Sequence, residues 1–478
     1  MNATRRATPD ANGEEESMDL GFETIGNATV IVHDGGPVLA TDPWIDGAAY
    51  FGSWTRSHAV PDEQRAAIAA CPWIWISHGH PDHLSGESLE RLRGATLLLP
   101  DHVGGRIGTD LAAQGYRTRV LRCREWVELS PRVRVACVAD WNQDAVLLVD
   151  VAGRLVVNLN DAGERGWGPF VRGVVRRYPE SYLMRLSGYG DADMINRFRE
   201  GGERILPQAA QRTPVGAAIA RDTEAIGARF FIPFSSMHRY QRADSVWANT
   251  YATPIDAYAV GFDSRRCELL PPFARVDLAH DAVTPIAPEP APDRAIDPRE
   301  FGDDWEERLE PGDAEELASY VRGVEHVREA FGFVRFRVGA EETHVALGGP
   351  RRDRGLTFEA PRGSLMTAVR YRVFDDLLIG NFMKVTLHGD ADLYPEFTPY
   401  LAKYADNGGA RTEADLARYF ATYRGRDWVS FFRDQLDLNW FRPLHANVAA
   451  AMRRSLGGNS VVFRAAKSAY HGVRRLAP

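Results

Sequence analysis

Three histidines and an aspartate, His78, His80, Asp82 and His83, stand together in the run Ser77-His78-Gly79-His80-Pro81-Asp82-His83. Imidazoles that each offer a neutral nitrogen, joined by a carboxylate that supplies negative charge, are what a divalent transition metal requires. Spacing matters as much as type. Gly79 permits a sharp backbone path and Pro81 fixes one, so side chains this close in sequence can converge on one point. The chain has 13 histidines in all, and three at these offsets beside an aspartate read as a metal site rather than a histidine-rich surface loop. His33, His58, His102, His280, His326, His344, His388, His445 and His471 lack any such pattern and read as structural or solvated.

Such a loop needs a rigid support. The strand-like run 73–76 leads directly into it, and loops at strand ends are where sites concentrate. Runs rich in β-branched and aromatic residues mark further strands at 29–32, 37–40, 96–99, 133–138, 145–149, 155–159, 182–186 and 229–234. Helical periodicity falls at 87–93, 103–113 and 215–226. Strands and helices alternate without a strict βαβ repeat, which predicts an α/β sandwich of two mixed sheets flanked by helices over 19–270. A Pro- and Ala-rich stretch at 271–298 reads as an extended connector. Beyond it, 299–478 is expected to form a smaller α+β region, with a helix at 314–329, strands at 331–338, 367–373 and 383–387, and a helical C-terminal stretch.

Composition narrows the function classes. A chain of 478 residues with 44% apolar content can bury a sizeable core. Its net charge of −8, with Lys and Arg scattered, leaves no footprint for a nucleic-acid backbone. Cys71, Cys123, Cys137 and Cys267 show no paired short spacing and read as buried thiols. Residues 1–18 are polar and of mixed charge, read as a disordered tail without signal or anchor. No apolar run elsewhere reaches the length of a bilayer span, so a cytoplasmic protein without membrane or nucleic-acid partners is expected. The basic stretch 463–478 reads as a solvated helix face, and a homodimer is left open.

The loop HGHPDH, with GNATVIVHDGGPVLATDPWIDG upstream, resembles the HxHxDH signature and opening hairpin of the metallo-β-lactamase superfamily. More narrowly, TDPWIDGAAYFGSW, IWISHGHPDHLSGESLERL, RLVVNLNDAG and ARFFIPFSSMHRY resemble, in order and approximate spacing, the corresponding part of CMP-N-acetylneuraminate hydroxylases. This resemblance covers roughly residues 20–250, with a fainter continuation at DDLLIGNFMKVTLHGDADLY. It implies an αββα metallo-β-lactamase sandwich and two metal ions per chain. His78 and His80 would serve one ion, Asp82 and His83 the other, with Asp161 bridging and His238 as the last histidine. Asp42, at the end of the hairpin, is expected to be structural.

Between His83 and Asp161 the superfamily carries another histidine, and this sequence carries none. Asp140 stands nearest that place, with Asp144 as the alternative. A carboxylate there hardens the donor set and shifts preference from zinc towards iron or manganese. The resemblance therefore implies a non-haem diiron oxygenase, a hydroxylase of a small polar or anionic metabolite, with Asp82 and Asp161 as catalytic carboxylates. An external electron donor would serve it, since the Cys and His pairs of the hydroxylases' Rieske domain do not occur in this sequence. A metallo-hydrolase acting on an ester, amide or phosphodiester is the alternative, and a catalytically inactive binding protein the second. Substrate-binding residues are unassigned. Arg165, Arg185, Arg239 and Arg242 are candidates for gripping a carboxylate or phosphate, and Trp44, Tyr50, Trp54, Trp141 and Trp167 for walling a pocket.

Overall fold

The computed structural model describes residues 18–190 and 195–436. Almost all of the 1–18 tail, His445, His471 and the 463–478 stretch lie outside the described residues.

Alternate residues along the strands belong to two different cores, as the two-residue side-chain period of a strand requires. From the strand Thr29–Asp34, Val30 and Val32 point to one side and Ile31 to the other. From Ala145–Val151, Leu147 and Val149 face one way and Val146 and Leu148 the other. The first set meets across an inner core that joins an eight-stranded sheet to a seven-stranded one. The second set packs outward on helices, among them Asp62–Ala70 and Arg106–Ala113 on one sheet, and Gly168–Val175 and Gly216–Ile226 on the other. This is the αββα sandwich expected from the sequence. In the first sheet, Trp73–Trp75 lies between Pro37–Thr41 and Thr96–Pro100, parallel to both, so the histidine-rich loop emerges from mid-sheet. In the second, Arg154–Asn160 lies between Ala145–Val151 and Ser181–Leu186, and its end delivers Asp161 to the same rim.

The stretch 271–298 is more than an extended connector. Its strands Ala274–Asp277 and Ala282–Pro285 extend the first sheet, because Val276 is apolar and pairs with Phe22 over the inner core. A third, six-stranded sheet forms the smaller region, and it takes Arg197–Arg199 and Arg204–Ile205 from within the sandwich half of the chain. Its core joins Val334, Phe336, Leu356, Phe358 and Val385 to helices, including Asp313–Arg322 and Arg362–Tyr371. That second helix replaces the strand expected at 367–373. Leu365, Met366, Ala368 and Val369 are buried along one face, so helical packing overrides the β-branched local bias. The helix expected at 314–329 is two, Asp313–Arg322 and Glu325–Ala330, separated at Gly323 and Val324.

Buried contacts join the two regions. Arg242 is fully buried, ion-paired with Asp303 at 2.6 Å, and stacks over Phe382 at 3.8 Å. Tyr419, in the helix Glu413–Arg426, donates to the Trp141 carbonyl at 2.5 Å. Gly104 passes so close to the stretch 399–407 that a Cβ there would lie 2.7 Å from the Asn407 carbonyl oxygen.

Candidate metal centre

The donor atoms converge where the strand ends meet. His78 Nε2 lies 2.8 Å from His80 Nδ1 and 3.9 Å from Asp161 Oδ2. His83 Nε2 lies 3.2 Å from Asp82 Oδ2 and 3.5 Å from Asp161 Oδ2. Ligand atoms of His78, His83 and Asp161 all fall within 4.8 Å of one another, a spacing that could hold a metal ion.

Each imidazole has its other nitrogen tied. Ser77 Oγ meets His78 Nδ1 at 2.8 Å, and Asp42 Oδ2 meets His83 Nδ1 at 3.2 Å. Asp375 Oδ2 meets His80 Nε2 at 3.1 Å. Such partners fix which nitrogen is presented and how the ring is turned, as they do around protein-bound metals. The carboxylates are held as firmly. Asp82 accepts from Asn27 at 2.8 Å and from the Tyr50 hydroxyl at 2.5 Å, and Ser235 donates to Asp161. Asn160 donates to Asp42 and, at 2.8 Å, to Ser77. Asp42, Tyr50, Asn160 and Ser235 all adopt positive φ, at 41°, 52°, 50° and 57°. Non-glycine residues seldom do so, and strained backbone of this kind gathers where function demands it.

The electrostatics suit a cation. Burial first, and then the imidazoles of His83 and His80, hold His78 well below the ordinary histidine value, so it is a neutral donor. Burial opposes charge on His83 as well, but the carboxylates of Asp82 and Asp161 outweigh it and raise its pKa well above normal. Asp82, although buried, is kept below the usual carboxylate range by His83 and His80. Excess negative charge in a dry site is what a divalent ion neutralises.

Not every sequence candidate reaches this centre. Asp140 folds back: its Oδ1 accepts from the amides of Asn142 at 2.8 Å and Asp144 at 3.1 Å. It lies beside Trp141, Arg165 and Tyr423 around a separate pocket. Asp144 instead lines a cavity of about 140 Å³ together with His80, Asp161, Asp375 and Lys403. Burial raises the Asp144 carboxyl, against the pull of Lys403. His238 lies outside the group formed by His78, His83 and Asp161, with the carboxylates of Asp82 and Asp161 near enough to act on it. Its ring stacks on Trp54 at 3.4 Å, its Nε2 bonds the Gly190 carbonyl at 3.1 Å, and burial holds its pKa down to about 4. The residue at the end of the strand Phe230–Phe234 that touches the cluster is Ser235, 3.5 Å from His83 Nε2.

The candidate arginines are otherwise engaged: Arg185 with Asp222, Arg239 with Asp293, Arg242 with Asp244 and Asp303, while Arg165 covers Trp141. Of the candidate aromatics, Tyr50 touches the centre directly. Trp44 and Trp54 pack in a small cluster beside it, Trp141 faces the C-terminal helices, and Trp167 bonds the Gly163 carbonyl. Asp375 and Lys403 went unnoticed in the sequence, where nothing in residue type or spacing links them to a loop some 300 positions earlier.

The chain matches no family model. It is 26% identical over 157 residues to the cytidine monophosphate-N-acetylneuraminic acid hydroxylase of Asterias rubens, a match covering 31% of this chain and 24% of that one. It is 23% identical over 181 residues to the hydroxylase of Danio rerio, covering 35% and 30%. The matches thus span about a quarter to a third of the curated relatives' length. Among solved structures, Igni18, a metallo hydrolase from Ignicoccus hospitalis, is similar at a TM-score of 0.34 and 14% identity, covering 56% of this chain and 99% of that one. CmlA, a diiron β-hydroxylase from Streptomyces venezuelae, is similar at 0.33 and 14%, covering 52% and 50%. The sandwich with its HxHxDH loop at a strand end is a metallo-β-lactamase-type fold. Within it, the chain resembles the CMP-N-acetylneuraminic acid hydroxylases over part of its length. Among the described residues, no helix is long and apolar enough to cross a membrane.

Proposed function

We propose that the chain is a dinuclear-metal enzyme, an oxygenase that hydroxylates a small polar metabolite with electrons from an external donor. The observation that carries this reading is three imidazoles with their far nitrogens tied, the carboxylates Asp82 and Asp161 beside them, and Asp144 on the wall of the adjoining cavity. Carboxylates in that number suit iron or manganese better than zinc. Bound there, two such ions would supply dioxygen activation. His78, His80 and Asp144 would hold one, and Asp82 and His83 the other, with Asp161 between them. Asn27 and Tyr50 fix the orientation of Asp82, and Ser235 does the same for Asp161. Asn142 and Lys403 give the cavity polar groups with which to orient a substrate. Sequence similarity to hydroxylases supports the choice of reaction, although it covers only part of each chain.

Hydrolysis is the second reading, favoured by Asp161. Its side chain is 18% exposed, unlike the deeply buried Asp82, and can take a proton from water in the cavity. Elemental analysis of protein purified without added metal, followed by oxygen uptake with a reductant, separates the two. About two irons per chain and reductant-dependent uptake support the oxygenase. Zinc without uptake sends the search to esters, amides and phosphodiesters, and a chain without stoichiometric metal overturns both in favour of a binding protein.

A further inference from the structure

His78 and His83 have their outward nitrogens tied by Ser77 and Asp42, residues of the sandwich itself. His80 does not. Its Nε2 is met at 3.1 Å by Asp375 Oδ2, in the first turn of the helix Phe374–Ile379, 295 positions further along the chain. The same oxygen accepts from Lys403 Nζ at 3.1 Å, and that ammonium lies 3.4 Å from His80 Nε2. Asp375 and Lys403 are both buried, at 7% exposure each.

The arrangement fixes how the ring is turned. His80 Nδ1 faces His78 Nε2 at 2.8 Å, on the side where donors converge. With Nδ1 turned to an ion, Nε2 would carry the hydrogen and donate to Asp375. A carboxylate receiving an imidazole N–H locks the ring's rotation and raises the basicity of the opposite nitrogen. Buried alone, that carboxylate would be costly, and Lys403 supplies the compensating charge. An ion pair serving only to join two regions has no reason to sit against a metal-facing ring, and Arg242 with Asp303 already performs that task elsewhere.

We infer that the smaller region is a working part of the metal centre, with Asp375, backed by Lys403, as the positioning residue that aims His80 Nδ1 at the ion. This rests on the metal-centre reading above, and the test keeps the two apart. Full-length protein stripped of metal is titrated with Co²⁺, read by visible absorption and by competition with a chelator. The wild type is compared with Asp375→Asn, His80→Ala and the double variant, each checked for fold by circular dichroism. Asp375→Asn is expected to weaken one of two ions by roughly 10–100-fold and to alter its absorption band. Because Asp375 acts through His80, the double variant should bind no more weakly than His80→Ala alone. If Asp375→Asn does not fold, the charge-balanced pair Asp375→Asn with Lys403→Met takes its place in the cycle. Losses that add in the double variant, or a substituted protein that binds both ions as the wild type does, overturn the inference and leave the dinuclear reading standing. A wild type that takes up no Co²⁺ overturns both.

Discussion

Asp144 reaches the cavity because Asp140 ties down the loop beneath it, accepting the amides of Asn142 and Asp144 as a turn-forming aspartate does. The two carboxylates should therefore respond differently to loss of charge. Asp144→Asn is expected to lower metal affinity by roughly tenfold or more, whereas Asp140→Asn, which keeps the accepting oxygen, should retain full metal content. Elemental analysis of the two variants decides it, and equal metal loss in both would return Asp140 to the donor set. The histidine-rich loop was legible from sequence because its donors are neighbours along the chain. Which of Asp140 and Asp144 faces the cavity was not, since it depends on which way a loop turns. Nor were Asp375 and Lys403, whose relation to His80 exists only in three dimensions. Ser235, with its strained φ, occupies the strand end next to the cluster, a place that nothing in the sequence marked.

At the scale of elements, the segment Pro399–Asn407 is held against the helix Asp313–Arg322 by a hydrogen bond of 2.6 Å from Tyr320 to Asp406. Burial lifts the Asp406 carboxyl from 3.8 to about 7, despite Tyr320 and Arg106. A folded-state pKa above the unfolded one means that the fold prefers the protonated acid. The contribution is complete below about pH 4 and is lost as pH rises towards 7. Asp406→Asn should keep the packing and abolish that slope, gaining roughly 2–4 kcal/mol relative to wild type at pH 8 and little at pH 4. Urea midpoints at the two pH values test this, and a difference that does not change with pH would contradict it. Sandwich strands read well from sequence because both their faces are buried and apolar, so the runs are long. The helix Arg362–Tyr371 read as a strand because Thr367 and Val369 carry strand character locally, while Leu365, Met366 and Ala368 beside them are buried in helical packing.

Across the whole molecule, sandwich and third sheet are coupled through buried polar contacts, Arg242 with Asp303 and Ser53 with the Gly380 carbonyl among them. They should melt as one unit. Arg242→Ala, which strands the buried Asp303 charge, is expected to cost about 3–5 kcal/mol and to split the calorimetric transition in two. A single transition at an unchanged temperature would show the regions to be coupled by other means. The coupling is also written into the order of synthesis. Arg197–Arg199 leaves the ribosome long before Lys384–His388, the strand it pairs with. At ordinary translation speed the 184 residues between Arg199 and Lys384 take roughly ten to forty seconds to make. Throughout that interval the nascent chain displays an unpaired strand edge, open to a chaperone, and codon usage over that stretch would determine how long the exposure lasts.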